Sequence, residues 1–191
     1  MKLEGVLPFA RTLLRSFCGP GEIVIDATCG NGNDTLYLSK LVGKDGQVFA
    51  FDIQEQAIEK SKLRLTENQA DDNVTFFHAS HDEMINKLPD FVIGKVSAAI
   101  FNLGYLPGSD KSITTKGSST IDAIKQLLQI LKPEGIIILV IYHGHEEGKH
   151  EKNLVLDFVK NIDQKKAHVL QYDFINQKND PPFVVAIEKR G

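Results

Sequence analysis

Seven short apolar runs, rich in β-branched and aromatic residues, recur along the chain and predict β-strands. They lie at 23–29, 47–53, 74–80, 96–103, 136–143, 168–175 and 183–189. Between most of them, apolar residues return at helical spacing, over 33–43, 55–69, 81–88, 118–132 and 151–162. A regular strand-then-helix order predicts parallel strands joined by right-handed crossovers, which is the pattern of a doubly wound α/β sheet with helices on both faces.

The last two predicted strands break that order. Only residues 176–182 separate them, which is too short for a crossover helix, so the seventh strand is expected to pair antiparallel in a hairpin. Local signals mark several helix ends: Ser119 and Asp122 are spaced as a capping box, Gly43 follows one helix, and 133–135 follows the long helical pattern over 118–132. No repeat or linker divides the sequence, so a single domain over 1–191 is expected.

Composition narrows the class of protein. The 191 residues suffice for a core without disulfides or metals, and only two cysteines, Cys18 and Cys29, are present. The chain carries 22 Lys and Arg against 25 Asp and Glu, which excludes a uniformly basic polyanion binder but allows a local basic face. Lys2, Arg11 and Arg15 either extend such a face or form only the solvated side of an amphipathic helix. No secretory signal or membrane-length apolar stretch is visible, so a cytoplasmic protein with no membrane partner is expected.

A glycine-bearing loop follows the first predicted strand, in the order Asp26-Ala-Thr-Cys-Gly30-Asn-Gly32-Asn-Asp34. Its glycines allow a tight turn close to a ligand at the carboxyl ends of the strands. A dinucleotide fold would carry a third glycine where Thr35 stands, and the two carboxylates repel a pyrophosphate but suit a ligand with an ammonium group. These features disfavour a nicotinamide-dependent oxidoreductase, and a purely structural turn is the alternative.

Polar residues also end the second and third predicted strands. Asp52 follows the glycines by about 20 residues, where a carboxylate can accept hydrogen bonds from both hydroxyls of a ribose, and Gln54 lies just beyond it. Ser80 and His81 follow the third strand, where an adenine would lie. The alternatives are that Asp52 caps the next helix and that Ser80 caps the short helix after it.

The loop from Asp26 to Asp34, Asp52 and the order of seven strands resemble the class I S-adenosylmethionine-dependent methyltransferases over almost the whole chain. More narrowly, the chain is similar to a bacterial group of rRNA methylases in the combination of four segments, DATCGNGNDTLYL, FAFDIQ, FNLGYLPG and NDPPFVVAIEK. That group includes the tRNA enzyme converting 5-aminomethyl-2-thiouridine to 5-methylaminomethyl-2-thiouridine at the wobble position. The resemblance implies a Rossmann-like seven-stranded sheet of order 3-2-1-4-5-7-6 with strand 7 antiparallel. It implies S-adenosyl-L-methionine as cofactor, and S-adenosyl-L-homocysteine as product, held by Asp26, Gly30, Asn31, Gly32, Asn33, Asp52, Gln54, Ser80 and His81.

The same resemblance implies what the protein acts on. The expected reaction is methylation of the aminomethyl group of that wobble uridine, with the anticodon stem-loop of tRNA as partner and no DNA partner. A homodimer is one assembly that the protein could form, although no pattern in the sequence encodes the oligomeric state. An rRNA base amine or a small molecule is the alternative acceptor on the same fold. A binding protein without chemistry is a further alternative.

The segment after the fourth strand carries the predicted catalytic residues. Asn102-Leu103-Gly104-Tyr105 has the form of the Asn-Pro-Pro-Tyr motif of amino-methyltransferases, with Leu-Gly in place of the two prolines. By resemblance, the Asn102 oxygen accepts a hydrogen bond from the target amine, and the Tyr105 ring stacks on the base or faces the sulfonium. Leu103 and Gly104 are expected to contact substrate. No cysteine stands there to attack a pyrimidine ring, as methylation at C5 would require.

The Leu-Gly pair leaves open whether the acceptor is a planar base amine or a flexible alkyl amine. An alkyl amine is protonated at neutral pH and must lose a proton before it attacks. His81, His143 and His145 are the candidate proton acceptors. His143 and His145 belong to the segment 142–150, which is predicted to be a substrate loop. Its three His and two Glu match no closed zinc spacing, so no metal is expected.

Two further segments are weighed as substrate contacts. The segment 109–119 offers Lys111 and Lys116 to phosphates, or is a solvated connector. The tetrad Asp180-Pro181-Pro182-Phe183 has the form of the motif with which many nucleic-acid amino-methyltransferases hold the target nitrogen, but it follows the sixth strand rather than the fourth, so it is not expected to aim the amine. Pro181 and Pro182, together with Phe183 at the start of the seventh strand, form either a substrate-facing lip or simply a rigid hairpin.

Overall fold

The computed structural model describes residues 2–105 and 114–191 and contains one seven-stranded sheet flanked by helices. The strands are β1 (Ile23–Asp26), β2 (Gln47–Asp52), β3 (Val74–His78), β4 (Val96–Leu103), β5 (Leu131–Ile141), β6 (Ala167–Tyr172) and β7 (Phe183–Lys189). The helices are α1 (Val6–Phe17), α2 (Asn33–Val42), α3 (Glu55–Glu67), α4 (Met84–Lys87), α5 (Gly117–Ile130) and α6 (Glu146–Lys160), with short 3-10 helices at His81–Glu83 and Asp90–Val92. None of the described helices is long and apolar enough to span a lipid bilayer.

The strand order is β3-β2-β1-β4-β5-β7-β6, and β7 runs antiparallel to both of its neighbours. The other pairs are parallel. This confirms the predicted order and the predicted hairpin at the end of the chain. Because chain progression reverses between β1 and β4, a crevice opens at the carboxyl ends of these central strands, where such sheets bind ligands.

Both faces of the central strands are buried, as the continuous apolar sequences of parallel strands require. On one face, α5 and α6 cover side chains that include Phe101 and Leu139. On the other face, α1 and α2 cover side chains that include Ile100 and Ile138. Helix α1 therefore packs against β4 and β5, and its first turns reach the edge where those strands end.

Helix α6 begins earlier than its apolar spacing predicts. It starts at Glu146, after His145 at the N-cap position, whereas the periodic pattern begins only at 151. Glu146 and Glu147 occupy the first turn, where carboxylates are favoured by the positive end of the helix dipole. The predicted substrate loop over 142–150 is thus short, and its second half is helix.

Helix α5 also differs at both ends. Its N-cap is Lys116, and no capping box forms; instead Ser119 Oγ donates to the carbonyl oxygen of Lys116, and Asp122 pairs with Lys125. The helix ends at Ile130, and the next residue already pairs with β4, so 133–135 lies within β5 rather than closing the helix. The predicted stop at Gly43 is confirmed as the C-cap of α2.

Gly32 allows the glycine loop to approach α3. It is the N-cap of α2 and has φ 77° and ψ 14°, in the left-handed region. A Cβ at this position would lie 2.8 Å from the Cα atom of Ser61 in α3. Only glycine fits both the backbone conformation and this space.

We expect Gly32→Ala to lower the free energy of unfolding by about 3 kcal/mol, because it adds a backbone clash to the penalty of positive φ. Gly21→Ala is the matched control, since Gly21 has φ +82° but nothing lies within 4 Å of an added Cβ. The control should lose only about 1 kcal/mol. Urea denaturation measures both losses, and equal values would contradict the close packing of the loop on α3.

Candidate active site

A cavity of about 1140 Å³ opens at the carboxyl edge of the sheet. Its wall comes from the segments that follow β1, β2, β3, β4 and β5, from the segment before and at the beginning of α5, from Leu7 and Arg11 of α1, and from Asp180 before β7. The volume and the number of converging strand ends make it the natural ligand site of this fold.

The glycine loop is held from outside by β2 and α3. The Gly30 amide donates to Asp52 Oδ2 at 2.9 Å, and Ser61 Oγ donates to the Gly30 carbonyl oxygen at 3.0 Å. Arg64 Nε donates to the carbonyl oxygen of Asn31 at 2.6 Å. These contacts leave Gly30, Asn31 and Asn33 on the cavity wall, whereas Gly32 faces α3.

Asp26 lies beneath the loop and is not part of the cavity wall. Its carboxylate is fully buried and accepts hydrogen bonds from Thr35 Oγ1 at 2.6 Å and from the Thr28 amide at 3.3 Å. Burial, and next the charge of Asp34, raise the pKa of Asp26 to about 7. The structure therefore places Asp26 as a support of the loop, while Asp34 is the carboxylate that faces the cavity.

Asp52 faces the cavity at the end of β2. Its Oδ1 accepts from the Gln54 amide at 2.9 Å, and its Oδ2 accepts from Gly30. Burial raises the pKa of Asp52, although these two bonds act in the opposite direction. Each carboxylate oxygen keeps a lone pair for a ligand hydroxyl. Gln54, the N-cap of α3, lies beside it on the wall.

Ser80 and His81 form the wall beyond β3. Ser80 is the N-cap of the 3-10 helix, and its amide donates to the Glu83 carboxylate at 3.4 Å. His81 is buried against the Phe101 ring, with ring centroids 5.4 Å apart, and burial lowers its pKa. Its Nε2 atom has no hydrogen-bond partner among the described residues, so a ligand can supply one.

Asn102 is oriented at the end of β4. Its backbone amide donates to Thr28 Oγ1 at 2.7 Å, and its side-chain Nδ2 donates to Asp34 Oδ2 at 2.9 Å. Arg11 Nη2 lies 3.5 Å from Asp34 Oδ1. Because the amide nitrogen is used in this way, the carbonyl Oδ1 is the atom that Asn102 can present to a donor in the cavity.

A buried carboxylate holds the backbone that follows Asn102. The Gly104 amide donates to Thr115 Oγ1 at 2.8 Å, and Thr115 Oγ1 donates in turn to Glu151 Oε2 at 2.5 Å. Thr120 Oγ1 donates to the other oxygen of Glu151 at 2.8 Å. Glu151 is 2% exposed, and burial raises its pKa. This hydrogen-bonded clamp restrains a segment in which the related motif uses two prolines.

The side chain of Leu103 is buried, whereas that of Tyr105 is exposed. The Leu103 side chain is buried in the core, although the residue borders the cavity. Tyr105 forms an antiparallel bridge with Thr114, and its ring packs edge-on against His145 with centroids 5.3 Å apart. Residues 106–113 lie outside the described residues. They include Lys111 and the last three residues of the FNLGYLPG segment.

Three residues after β5 complete this part of the wall. His143 Nε2 lies 3.9 Å from Asp180 Oδ1, and burial lowers the pKa of His143. Its Nδ1 atom and Nε2 of His145 are buried without partners in the described part of the chain. Burial, and next the charge of Asp34, raise the pKa of Tyr142. Within residues 2–105 and 114–191, no three His, Cys, Asp or Glu side chains group as metal ligands.

The Asp-Pro-Pro-Phe tetrad reaches the cavity through its first residue. Asp180 lies on the wall and pairs with Lys149 Nζ at 3.4 Å. Phe183 is 3% exposed, begins β7, and packs edge-on behind His143. Pro181 and Pro182 lie outside the cavity wall.

Comparison with known proteins places these features in a family. The family model described as "Putative rRNA methylase" matches residues 48–188. The chain belongs to this family. A Clostridium thermocellum crystal structure described as a "putative rRNA-methylase" has a TM-score of 0.94 and 44% identity, and the match covers 99% of this chain and 100% of that chain. A "putative methyltransferase" of Streptococcus mutans, in complex with SAH, has a TM-score of 0.86 and 40% identity over 98% of this chain and 99% of that chain.

One relative carries a more specific name. The Arabidopsis thaliana protein named "tRNA (mnm(5)s(2)U34)-methyltransferase, chloroplastic" is 37% identical over 179 residues, which is 90% of this chain and 65% of the plant protein. The chain therefore spans just under two thirds of that relative. The resemblance to methyltransferases inferred from the sequence motifs is confirmed at the level of family and fold.

Several residues that line or support the cavity of this rRNA methylase family member could not be given their place in the site from the sequence alone. Arg11 reads as the solvated side of a helix, and Thr115 and Glu151 are far from the motif that they restrain. Asp34 and Tyr142 are next in sequence to predicted site residues, but a position beside such a residue does not determine whether a side chain faces the cavity. Only the packing of α1, α5 and α6 brings these groups together.

The shifted pKa of Asp26 predicts a pH-dependent stability. A folded-state pKa of about 7, against 3.8 for the unfolded carboxyl, means that the folded state binds the proton more tightly, so stability falls as pH rises from about 4 to 7. The unfolding free energy falls over this range by at most about 4 kcal/mol. We expect Asp26→Asn to abolish this fall. Unfolding free energies at several pH values test it, with Asp122→Asn as the surface control. A slope unchanged in Asp26→Asn would contradict the shift.

Proposed function

We propose that the chain is an S-adenosylmethionine-dependent RNA methyltransferase that converts 5-aminomethyl-2-thiouridine at the tRNA wobble position to 5-methylaminomethyl-2-thiouridine. The observation that carries this proposal is the orientation of Asn102. With Nδ2 bonded to Asp34, its Oδ1 is available to accept a hydrogen bond from an amine at the end of β4. The name of the 37% identical plant relative supports the choice of acceptor.

The residues present fit the cofactor. S-adenosylmethionine supplies an electrophilic methyl group on a positively charged sulfur. Asp52 can accept hydrogen bonds from two ribose hydroxyls, and the partnerless Nε2 of His81 lies in the wall region predicted for the adenine. Gly30 and Asn31 on the wall allow close approach of the amino-acid part. The 40% identical relative in complex with SAH supports this assignment.

The residues around Asn102 suit an alkyl amine. The clamp through Thr115 and Glu151 holds the backbone at Gly104, while the aromatic pair of Tyr105 and His145 offers a surface on which a base can stack. Burial lowers the pKa of His143, which favours the unprotonated ring. An unprotonated ring is able to take up a proton that the amine releases.

The finer parts of the proposal concern the RNA. Lys116 is an exposed basic residue on the cavity wall, and Lys149 lies close to Asp180 at the same wall. Both side chains can contact RNA phosphates. We propose the anticodon stem-loop as the bound element and the cytoplasm as the location. A homodimer stays a prediction.

Two substitutions separate cofactor binding from turnover. We expect Asp52→Ala to weaken SAH binding at least about 10-fold, because a charged acceptor for the ribose is lost. We expect Asn102→Ala to leave SAH affinity within about 3-fold and to lower kcat about 100-fold, because only the positioning of the amine is lost. Calorimetry with SAH and methyl-transfer assays give the two values, with Asn153→Ala on the exposed face of α6 as the control. Normal activity in both variants would reject the site.

Nucleoside analysis tests the reaction itself. In RNA from a strain that lacks this gene, we expect 5-methylaminomethyl-2-thiouridine to be absent and its aminomethyl precursor to accumulate. Adding purified protein and S-adenosylmethionine to that tRNA should restore the methylated nucleoside, as measured by mass spectrometry. Loss of a methylated rRNA base instead would establish the alternative suggested by the family description, and unchanged nucleosides would point to a small-molecule acceptor.

A further inference from the structure

Asp34 stands in the cavity wall beside the amide of Asn102. It lies in the first turn of α2, and its side chain is 14% exposed. Its Oδ2 accepts the hydrogen bond from Asn102 Nδ2 at 2.9 Å. From the glycine-loop sequence, Asp34 is expected to bind the ammonium group of a cofactor. In the structure it instead hydrogen-bonds to Asn102, the residue proposed to accept a hydrogen bond from the substrate amine.

The negative charge of Asp34 affects the groups around it. The groups that face it are Arg11 from α1, Asn102 from β4, Tyr142 after β5 and Asp26 at the end of β1. Arg11 Nη2 is 3.5 Å from Oδ1, yet the Arg11 side chain is 42% exposed, so much of its charge is screened by water. The negative charge of Asp34 contributes to the raised pKa of both Tyr142 and Asp26, after the larger effect of burial.

Among the described residues, the cavity wall carries more carboxylates than Lys and Arg side chains. The acidic wall residues are Asp34, Asp52, Asp82 and Asp180, and the basic ones are Arg11 and Lys116. An RNA phosphate is therefore repelled from the inner wall, whereas a cationic group on a ligand is stabilised there. Among the acidic residues, Asp34 is the one bonded to the Asn102 side chain.

We infer that Asp34 is a specificity-determining residue that selects a positively charged alkyl amine and brings it to the Asn102 amide oxygen. A carboxylate forms a charge-assisted hydrogen bond with an alkylammonium group, and this interaction is stronger than the one it makes with an uncharged amine of a nucleobase. The inference rests on the proposed function, because it assigns the determinant of the acceptor at the same site. It also accounts for the absence of the two prolines, since a flexible amine is selected by charge rather than by the fit of a flat ring.

Asp34→Asn tests this inference while keeping the local geometry. The new amide oxygen can still accept the bond from Asn102, so the variant removes the charge and preserves the contact. The probes are two anticodon stem-loop RNAs that carry either 5-aminomethyl- or 5-hydroxymethyl-2-thiouridine, and binding is measured with SAH present. We expect the native protein to prefer the aminomethyl RNA by about 10- to 100-fold and Asp34→Asn by less than about 3-fold. Asp45→Asn, an exposed position beyond the other end of α2, should behave as the native protein.

The pH dependence supplies a second readout that a purely structural role would not affect. The advantage of a carboxylate exists only while the amine is protonated. The ratio of KM for Asp34→Asn to KM for the native protein should therefore be largest near pH 7 and fall as pH approaches about 10, the range of an alkyl amine pKa. A ratio independent of pH would overturn the inference.

Cofactor binding and activity separate the remaining outcomes. SAH affinity of Asp34→Asn should stay within about 3-fold of the native value. A loss of 10-fold or more would mean that Asp34 holds the ammonium group of the cofactor, and it would overturn the inference. Retention of the aminomethyl preference by Asp34→Asn would overturn it as well. If instead the native protein methylates no amine-bearing RNA, the proposed function fails, which is a different result.

Discussion

Between β1 and β4 the strand order reverses, and the chain segments leaving those two strands diverge to opposite sides of the sheet. The polar groups that end the central strands have no neighbouring strand to cover them there, and each must be satisfied by another side chain or by a ligand. Asn102 bonds to Asp34, and Asp52 bonds to the glycine loop. The rest of the site depends on this opening, because α1, α5 and α6 reach it only by packing on the faces of the same sheet.

The opening is acidic in a chain of nearly balanced charge. Asp26 is buried beneath it, and Asp34 and Asp52 lie on its wall, each restrained by hydrogen bonds from the backbone or from hydroxyl and amide groups. Such carboxylates are costly to keep charged in a buried site, and the raised pKa of Asp26 reflects that cost. A cationic ligand relieves the repulsion between them. A positively charged sulfur and an ammonium group would both have this effect, which links the proposed cofactor and the proposed substrate to the same electrostatic feature.

The segment after β4, which we propose to be catalytic, is held rigid by hydrogen bonds. The prolines of the related motif restrict the backbone covalently, whereas here Gly104 is held by Thr115 and through it by the buried Glu151. These residues come from three parts of the chain, so the motif alone does not predict that they hydrogen-bond to one another. Conversely, the Asp-Pro-Pro-Phe tetrad looks catalytic as a string. Its phenylalanine is in the core, and its aspartate alone faces the cavity.

By itself, the sequence determined the α/β class, the antiparallel hairpin at the end of the chain and the strand ends that carry Asp52, Ser80 and Asn102, because these depend on local periodicity and on the length of connections. It did not determine the start of α6 at Glu146, where polar residues rather than apolar spacing begin the helix. Only the tertiary structure decided that Asp26 lies under the loop while Asp34 faces the cavity and bonds to Asn102. Which side of a loop a carboxylate occupies depends on contacts with distant helices and strands, and no local pattern encodes those contacts.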